Sequence, residues 1–269
     1  MTEVIWLETV DSTQDELLRR LAPGGQGLPD GGALASADQR AGRGRQGRTW
    51  TAPPGTALAL TVHLTPAAWR PPVGMPHFSW LSLVAASAVV DVVRGLGVPA
   101  HLKWPNDVLV ADGRKLSGVL DAVTPGGGVG IGMGVNIDHR GGAPVDTAAA
   151  LSDFLPAAEL PAPQDLAARI HAAVLDRVHA WAAALPATDG PVDGTHGSVA
   201  VVVEHLSTLG RQVRAELPGG EVLEGEAVGL GPGGTLRVAS ATGGHEKMAV
   251  REISAGDVVH LRGDVRRAH

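Results

Sequence analysis

The chain has no cysteine and no tyrosine in 269 residues. The first absence excludes disulfide frameworks, thiolate metal sites and cysteine nucleophiles. The second removes phenol chemistry. Lysine is nearly absent too: Lys103, Lys115 and Lys247 are the only three among 22 basic residues, the rest being arginine. A lysine that survives so strong a bias toward arginine points to a position where a planar guanidinium cannot replace a compact ammonium. The N-terminus has no basic region and reaches Glu8 and Asp11 early, so it does not read as a signal peptide. The most apolar run, 78–96, is interrupted by Ser79, Ser82, Ser87, Asp91 and Arg94 and reads as a buried helix rather than a membrane span. Eleven histidines are scattered without a spaced ligand pair, and neither a P-loop nor a G-x-S-x-G elbow is present. What remains is 44% hydrophobic residues and a net charge of −6, enough apolar material for a real core and too little charge for disorder. A cytoplasmic enzyme or binding protein is the default.

Periodicity divides the chain in two. Short strands are expected at 4–7, 33–37 and 57–64, with a helix capped by Asp11 or Ser12 running to about Leu21. A core helix is expected over 78–96, then short apolar runs at 102–104, 107–111 and 117–123 and a glycine-punctuated run at 128–137. An amphipathic helix at 164–185 has Leu166, Ile170, Val174, Val178, Trp181 and Leu185 on one stripe. The stretch 140–150 is small and polar and reads as mobile, and 186–197 reads as a linker. Beyond it the period falls to two, with strands expected at 199–206, 212–217, 222–229, 235–239, 246–250 and 257–261. The expected organisation is a mixed domain over 1–198 and a small all-β module over 199–269.

Four segments carry chemistry. Gln39-Arg-Ala-Gly-Arg-Gly-Arg-Gln-Gly-Arg-Thr-Trp50 packs four arginines into an acidic protein. Gly42, Gly44 and Gly47 match the dinucleotide fingerprint by spacing, but Thr-Ala-Pro-Pro follows where a helix must open, so that reading is discarded. A nucleic-acid-binding glycine–arginine segment is a second reading. The shortness of this one and its place between two strands favour an anion grip of inward-turned N–H groups and guanidinium forks. Lys103-Trp-Pro-Asn-Asp107 and the following Lys115-Leu-Ser-Gly118 hold two of the three lysines. Without them the segment would read as a surface hairpin. Gly130-Ile-Gly-Met-Gly-Val-Asn136 leaves room beside a strand for a ligand or for close packing. Asp11-Ser-Thr-Gln14 is either a helix cap or a polar recognition corner.

In this order the four segments resemble the bacterial biotin–protein ligases, the biotin–[acetyl-CoA-carboxylase] ligases, with D-S-T-N/Q, G-R-G-R-x-G-R-x-W, K-W-P-N-D, K-x-x-G and G-x-G-x-N. The resemblance covers the whole chain. It implies an α+β fold: a mixed-sheet catalytic domain like those of class II aminoacyl-tRNA synthetases and biotin/lipoate ligases, followed by a small C-terminal β-barrel. It implies that Mg-ATP activates biotin to biotinyl-5′-AMP, and that a lysine of a biotin carboxyl carrier domain of a biotin-dependent carboxylase then takes the biotin. Lipoate or octanoate transfer, by relatives that lack the arginine loop, is the rival inside the superfamily. Ten residues precede Asp11, too few for the DNA-binding domain of relatives that double as repressors, so the monofunctional form is expected, with neither DNA nor membrane as a partner. A homodimer is left open. Gln46 stands where the family is often basic.

The resemblance also implies roles. Lys115 lies between the biotin carboxylate and the α-phosphate, and Arg45, Arg43 and Arg48 grip phosphates, loss of Arg45 letting the adenylate leak. Ser12, Thr13 and Gln39 hydrogen-bond the ureido ring; Gln14, Gly42, Arg43, Gly44 and Gly118 complete the biotin site, with the two last allowing close backbone approach. Trp50 lies over the ligand and Asn106 joins the adenylate side. Asn136 falls in the phosphate–magnesium region, Asp107 orients the incoming amine, and Arg262 reaches the ATP phosphates. The loop 40–50 is expected to act as a lid, and 140–150 to close over adenine.

Overall fold

The computed structural model describes residues 3–139, 141–143, 145–186, 192–217, 219–241, 248–254 and 257–261. Lys247 and Arg262 lie outside them.

The chain begins with β1 (Val4–Trp6) and α1 (Thr13–Leu21). Ser12 caps α1 by accepting the Asp15 N–H at 3.3 Å, with Asp15 and Glu16 in the first turn and Arg19 and Arg20 in the last, each favoured by the helix dipole. Then follow β2 (Ala33–Ser36), a two-stranded hairpin of β3 (Gly42–Arg43) and β4 (Thr49–Trp50), and β5 (Ala57–Leu64). The glycine–arginine segment is thus a small paired element, its tip a 3-10 turn at Arg45–Gly47. The expected core helix opens with a 3-10 stretch at Met75–Trp80, where Pro76 sets the first turn, before α2 (Leu81–Gly95). By length and apolarity Met75–Gly95 could cross a membrane, but most of α2 is buried inside the protein. β6 (Ala100–Lys103), β7 (Asp107–Val110), β8 (Lys115–Val123), β9 (Val129–Asn136) and α3 (Pro163–Ala183) complete the first part.

Seven strands form one mixed sheet in the order β1-β2-β5-β9-β8-β7-β6, β1 and β2 parallel and the others antiparallel. All eight residues of β5 are buried, because α3 packs behind it and α1 in front. Helix α2 lies behind β6, β7 and β8. On the front, α1 covers β2, β5 and β9 and stops there. The front of β8, β7 and β6 is where a cavity forms.

Two expectations fail in the second part. Residues 199–206 are not a strand: a 3-10 turn at Gly197–Val199 leads into α4 (Ala200–His205). The β-branched run favours a strand locally, but burying Val199, Val202 and Leu206 against the core requires helical spacing, and packing overrides propensity. His205 fixes α4 to α2 through Asp91, with Nε2 to Oδ1 at 2.6 Å. Nor do the described residues of the module close a barrel. Among the described residues, β10 (Gln212–Glu216), β11 (Val222–Leu230), β12 (Leu236–Ala241), β13 (Met248–Ile253) and β14 (Asp257–His260) make an antiparallel sheet in the order β13-β12-β11-β10-β14, with β13 and β14 at its edges.

The end of the 140–150 stretch is held rather than loose. Lys115 N–H donates to Thr147 O at 2.8 Å, Ala149 N–H donates to Lys115 O at 2.8 Å, and Ala148, Ala149 and Ala150 are buried. Residues 140 and 144 lie outside the described part.

Candidate active site

A cavity of about 370 Å³ opens on the uncovered front of the sheet, between the tip of α1, the β3–β4 hairpin, the 103–107 turn and β14. The residue types on its two sides differ sharply.

One side is neutral and its polar groups bond one another. Thr13 is buried and stands in the first turn of α1. Its N–H donates to Gln39 Oε1 at 2.8 Å, its hydroxyl lies 3.2 Å from the same oxygen, and Thr61 Oγ1 donates to Thr13 Oγ1 at 2.8 Å. Ser12, also buried, donates its N–H to Asp11 Oδ1 at 2.7 Å. Asp11 is held down to about 2 by its hydrogen bond to Arg19 and then by the Ser12 N–H. The Thr61 contribution was not read from the sequence. Its signal was the one hydroxyl in a buried strand whose only other polar residue is His63.

The glycine run supplies the floor, in a way the sequence left open. Gly130, Gly132 and Gly134 lie on one face of β9. A Cβ at Gly130 would come 2.6 Å from Leu17, at Gly132 2.9 Å from the Gln14 amide, and at Gly134 2.9 Å from the Trp50 indole. The bare stripe therefore receives three side chains from α1 and the hairpin. Gln14 is anchored by Nε2 to Leu120 O at 2.7 Å, and Trp50 ties the hairpin to the sheet. Gly42 is buried and does not line the cavity; a Cβ there would sit 2.4 Å from Gln39 Nε2 and 2.5 Å from Trp50 O, so it lets the hairpin close onto Gln39.

The other side is cationic. Lys115, at the start of β8, folds across Gly118, where a Cβ would be 2.9 Å from Nζ, and Nζ lies 2.5 Å from Asp107 Oδ1. A register shift between β7 and β8 brings this about: Asp107 pairs with Gly118 but Leu109 pairs with Lys115. Arg45 Nη1 donates to Asn106 Oδ1 at 3.3 Å, while Asn106 Nδ2 bonds Val119 O. Arg43 pairs with Asp15 at 3.0 Å from a largely exposed position. Arg48, Lys103 and Gly44 also line the cavity, as do Val258 and Val259 of the second sheet. Nearby, burial raises the Asp121 carboxyl against the opposing pull of Arg45.

Asn136 does not line the cavity. It is buried at the end of β9 and donates Nδ2 to Ala149 O at 2.9 Å and to Lys115 O at 3.4 Å. In this structure its amide braces the Lys115 backbone and the 147–150 stretch beside the end of β9. Among the described residues no group of three or more His, Asp or Glu could hold a metal ion.

The sequence profile of the Biotin/lipoate A/B protein ligase family matches residues 6–138, and that of the Biotin protein ligase C terminal domain matches 208–261. The biotin–[acetyl-CoA-carboxylase] ligase of Mycobacterium tuberculosis is 36% identical over 255 residues, 93% of this chain and 86% of that protein. The bifunctional ligase/repressor BirA of Escherichia coli is 37% identical over 139 residues, 50% of this chain and 40% of that protein. The biotin protein ligase of Aquifex aeolicus, solved in complex with biotin and ATP, has the same fold, with a TM-score of 0.70 at 23% identity over 98% of this chain and 100% of that one. The chain belongs to the biotin protein ligase family.

Proposed function

We propose that this chain activates biotin with Mg-ATP to biotinyl-5′-AMP and transfers the biotin to a lysine of a biotin carboxyl carrier domain. One observation carries the reading: a single cavity joins a neutral wall of amide and hydroxyl groups to a wall bearing Lys115, Arg45, Arg43 and Arg48. A ureido ring needs the first; a carboxylate meeting a triphosphate needs the second. In the first step a biotin carboxylate oxygen attacks the α-phosphorus and the bond to the departing pyrophosphate breaks. Lys115 lies where its ammonium offsets the repulsion between the two anions, and Arg45, steadied by Asn106, takes charge that builds on the phosphate. In the second step the neutral carrier amine attacks the anhydride carbonyl, a C–N bond forms as the C–O bond to AMP breaks, and the proton the nitrogen sheds passes to Asp107 or to the departing phosphate. Asp107 is the carboxylate placed to orient the amine and take that proton once the adenylate phosphate has replaced it on Lys115. The hairpin over the cavity excludes water, which would hydrolyse the anhydride.

Magnesium enters with ATP. An ion of this kind keeps several of its waters and is held chiefly by the substrate phosphates. Asn136 acts on this step through the Lys115 backbone. We divide the chain near residue 205, because α4 packs with α2 of the first part, and assign the remaining β module to closing the cavity through Val258 and Val259. Arg45 turned onto Asn106 favours an anion grip over a nucleic-acid segment, whose affinity would fall steeply with salt. A cytoplasmic setting, where ATP is available, fits this reading.

The test is ATP–pyrophosphate exchange on the purified chain, followed by transfer to a carrier domain. Exchange that depends on biotin is expected. No exchange with biotin, combined with exchange driven by lipoate, contradicts the reading.

A further inference from the structure

The turn that presents Asn106 and Asp107 is gripped from outside its own sheet. β6 is an edge strand, and the segment that opens the C-terminal module lies along it: Leu206 bridges Leu102 in parallel, and Ser207 donates both its N–H and its hydroxyl to Leu102 O, at 2.8 and 3.0 Å. Trp104, fully buried, is then held at two points. Its backbone N–H donates to Thr208 Oγ1 at 3.0 Å, and its indole N–H donates to Gly234 O at 2.8 Å. Thr208 is itself completely buried, and its hydroxyl lies 3.2 Å from His260 Nε2 on β14. The residues two and three places beyond Trp104 hold the two cations of the reacting centre: Asn106 holds Arg45, and Asp107 holds Lys115.

We infer that Thr208 is a positioning residue for biotin activation: the C-terminal module, through the Thr208 hydroxyl on the Trp104 N–H, sets the 105–107 turn and through it the aim of Arg45 and Lys115. The inference rests on the function proposed above. Beside the Thr208 hydroxyl, the turn is placed by its strands, by the Trp104 indole on Gly234 O and by the Asn106 amide on Val119 O, and an error of about 1 Å in the groups it carries is enough to slow a reaction that depends on alignment. The pocket's neutral wall, built on α1, β5 and β9, lies outside this chain of contacts. Thr208 therefore governs rate and leaves biotin affinity alone.

Thr208→Val keeps the shape, removes the acceptor and leaves a buried N–H without a partner; Thr208→Ser restores the hydroxyl. Biotin titration calorimetry gives the stoichiometry and Kd, and single-turnover adenylate formation is then measured per bound biotin. The expected result for the valine variant is unchanged stoichiometry, a Kd within about twofold of wild type and a rate about tenfold lower, equivalent to about 1.4 kcal/mol, with the serine variant close to wild type. Amide hydrogen exchange over residues 104–108 should accelerate in the valine variant alone. A role in folding only would lower stoichiometry and leave the rate per bound biotin unchanged, and that result overturns the inference, as does a serine variant no better than valine. If the wild type binds no biotin, the proposed function fails. Hydrogen exchange still decides the clamp, and unaltered protection at 104–108 removes it.

Discussion

The two walls of the cavity are built to different standards. The neutral wall is mostly buried and mutually bonded: Gln39 Oε1, Thr13 and Thr61 form one chain of hydrogen bonds, and Leu17, Gln14 and Trp50 fill the glycine stripe of β9. The cationic wall is made of side chains reaching from a hairpin and a turn, with Arg43 largely exposed on Asp15 and Lys115 partly exposed on Asp107. Exposed pairs of this kind contribute at most about 1 kcal/mol, so an incoming carboxylate or phosphate displaces them at little cost. Recognition is assigned to the rigid wall and charge handling to the exchangeable one.

The largest expected effect comes from changing the cation without changing its charge. Lys115→Arg should stay folded and lose about 10²–10³ in pyrophosphate exchange, as for removal of one well-placed electrostatic donor, since a planar fork cannot lie across Gly118 as the ammonium does. Wild-type exchange in this variant would remove the shape argument. Next is Arg45→Ala, for which adenylate should escape about tenfold faster or more, measured by trapping free biotinyl-AMP during turnover. Retention equal to wild type would assign the grip to Arg43 and Arg48 instead.

A smaller effect sharpens the comparison from the rigid side. Gly132→Ala drives a methyl into the Gln14 amide, an overpacking error of about 1–3 kcal/mol, and should raise the biotin KM more than it lowers kcat. A fall in kcat with KM unchanged would show that the stripe serves chemistry rather than recognition.

The smallest effect concerns the seam between the two sheets. Burial first, then Lys103, Arg211 and His101, push His260 down to about 4, against about 6.5 for an unfolded histidine. Below pH ~6.5 the unfolded chain takes up a proton that the folded chain refuses, so stability present above that pH is lost as the pH falls toward 4. Thermal melts between pH 7 and 4.5 should show a decline that His260→Gln partly flattens; equal slopes would acquit His260.

Much of this was legible beforehand because local chemistry and global fold agree. Ser12 as a cap, the amphipathic α3 and the paired runs of the central sheet all follow from spacing. The motif residues Thr13, Gln39, Arg45, Asp107, Lys115 and Gly118 do come together around one cavity. What escaped was decided by tertiary packing. The Val-rich 199–206 run is helical because its buried positions face a helical layer, and Asn136 turns inward because the 147–150 carbonyls are beside it. Thr61, Thr208 and the lining residues Val258 and Val259 are ordinary strand or turn residues that only the fold brings to the site. The glycine stripe was read correctly as space, but a sequence cannot say whether space will hold a ligand or three side chains.

The division of labour between the walls is tested most directly by titrating biotin into Lys115→Arg without ATP and measuring exchange on the same preparation. The account predicts biotin affinity within a fewfold of wild type beside an exchange rate lower by about 10² or more. Parallel losses of affinity and exchange, equal in magnitude, would contradict it.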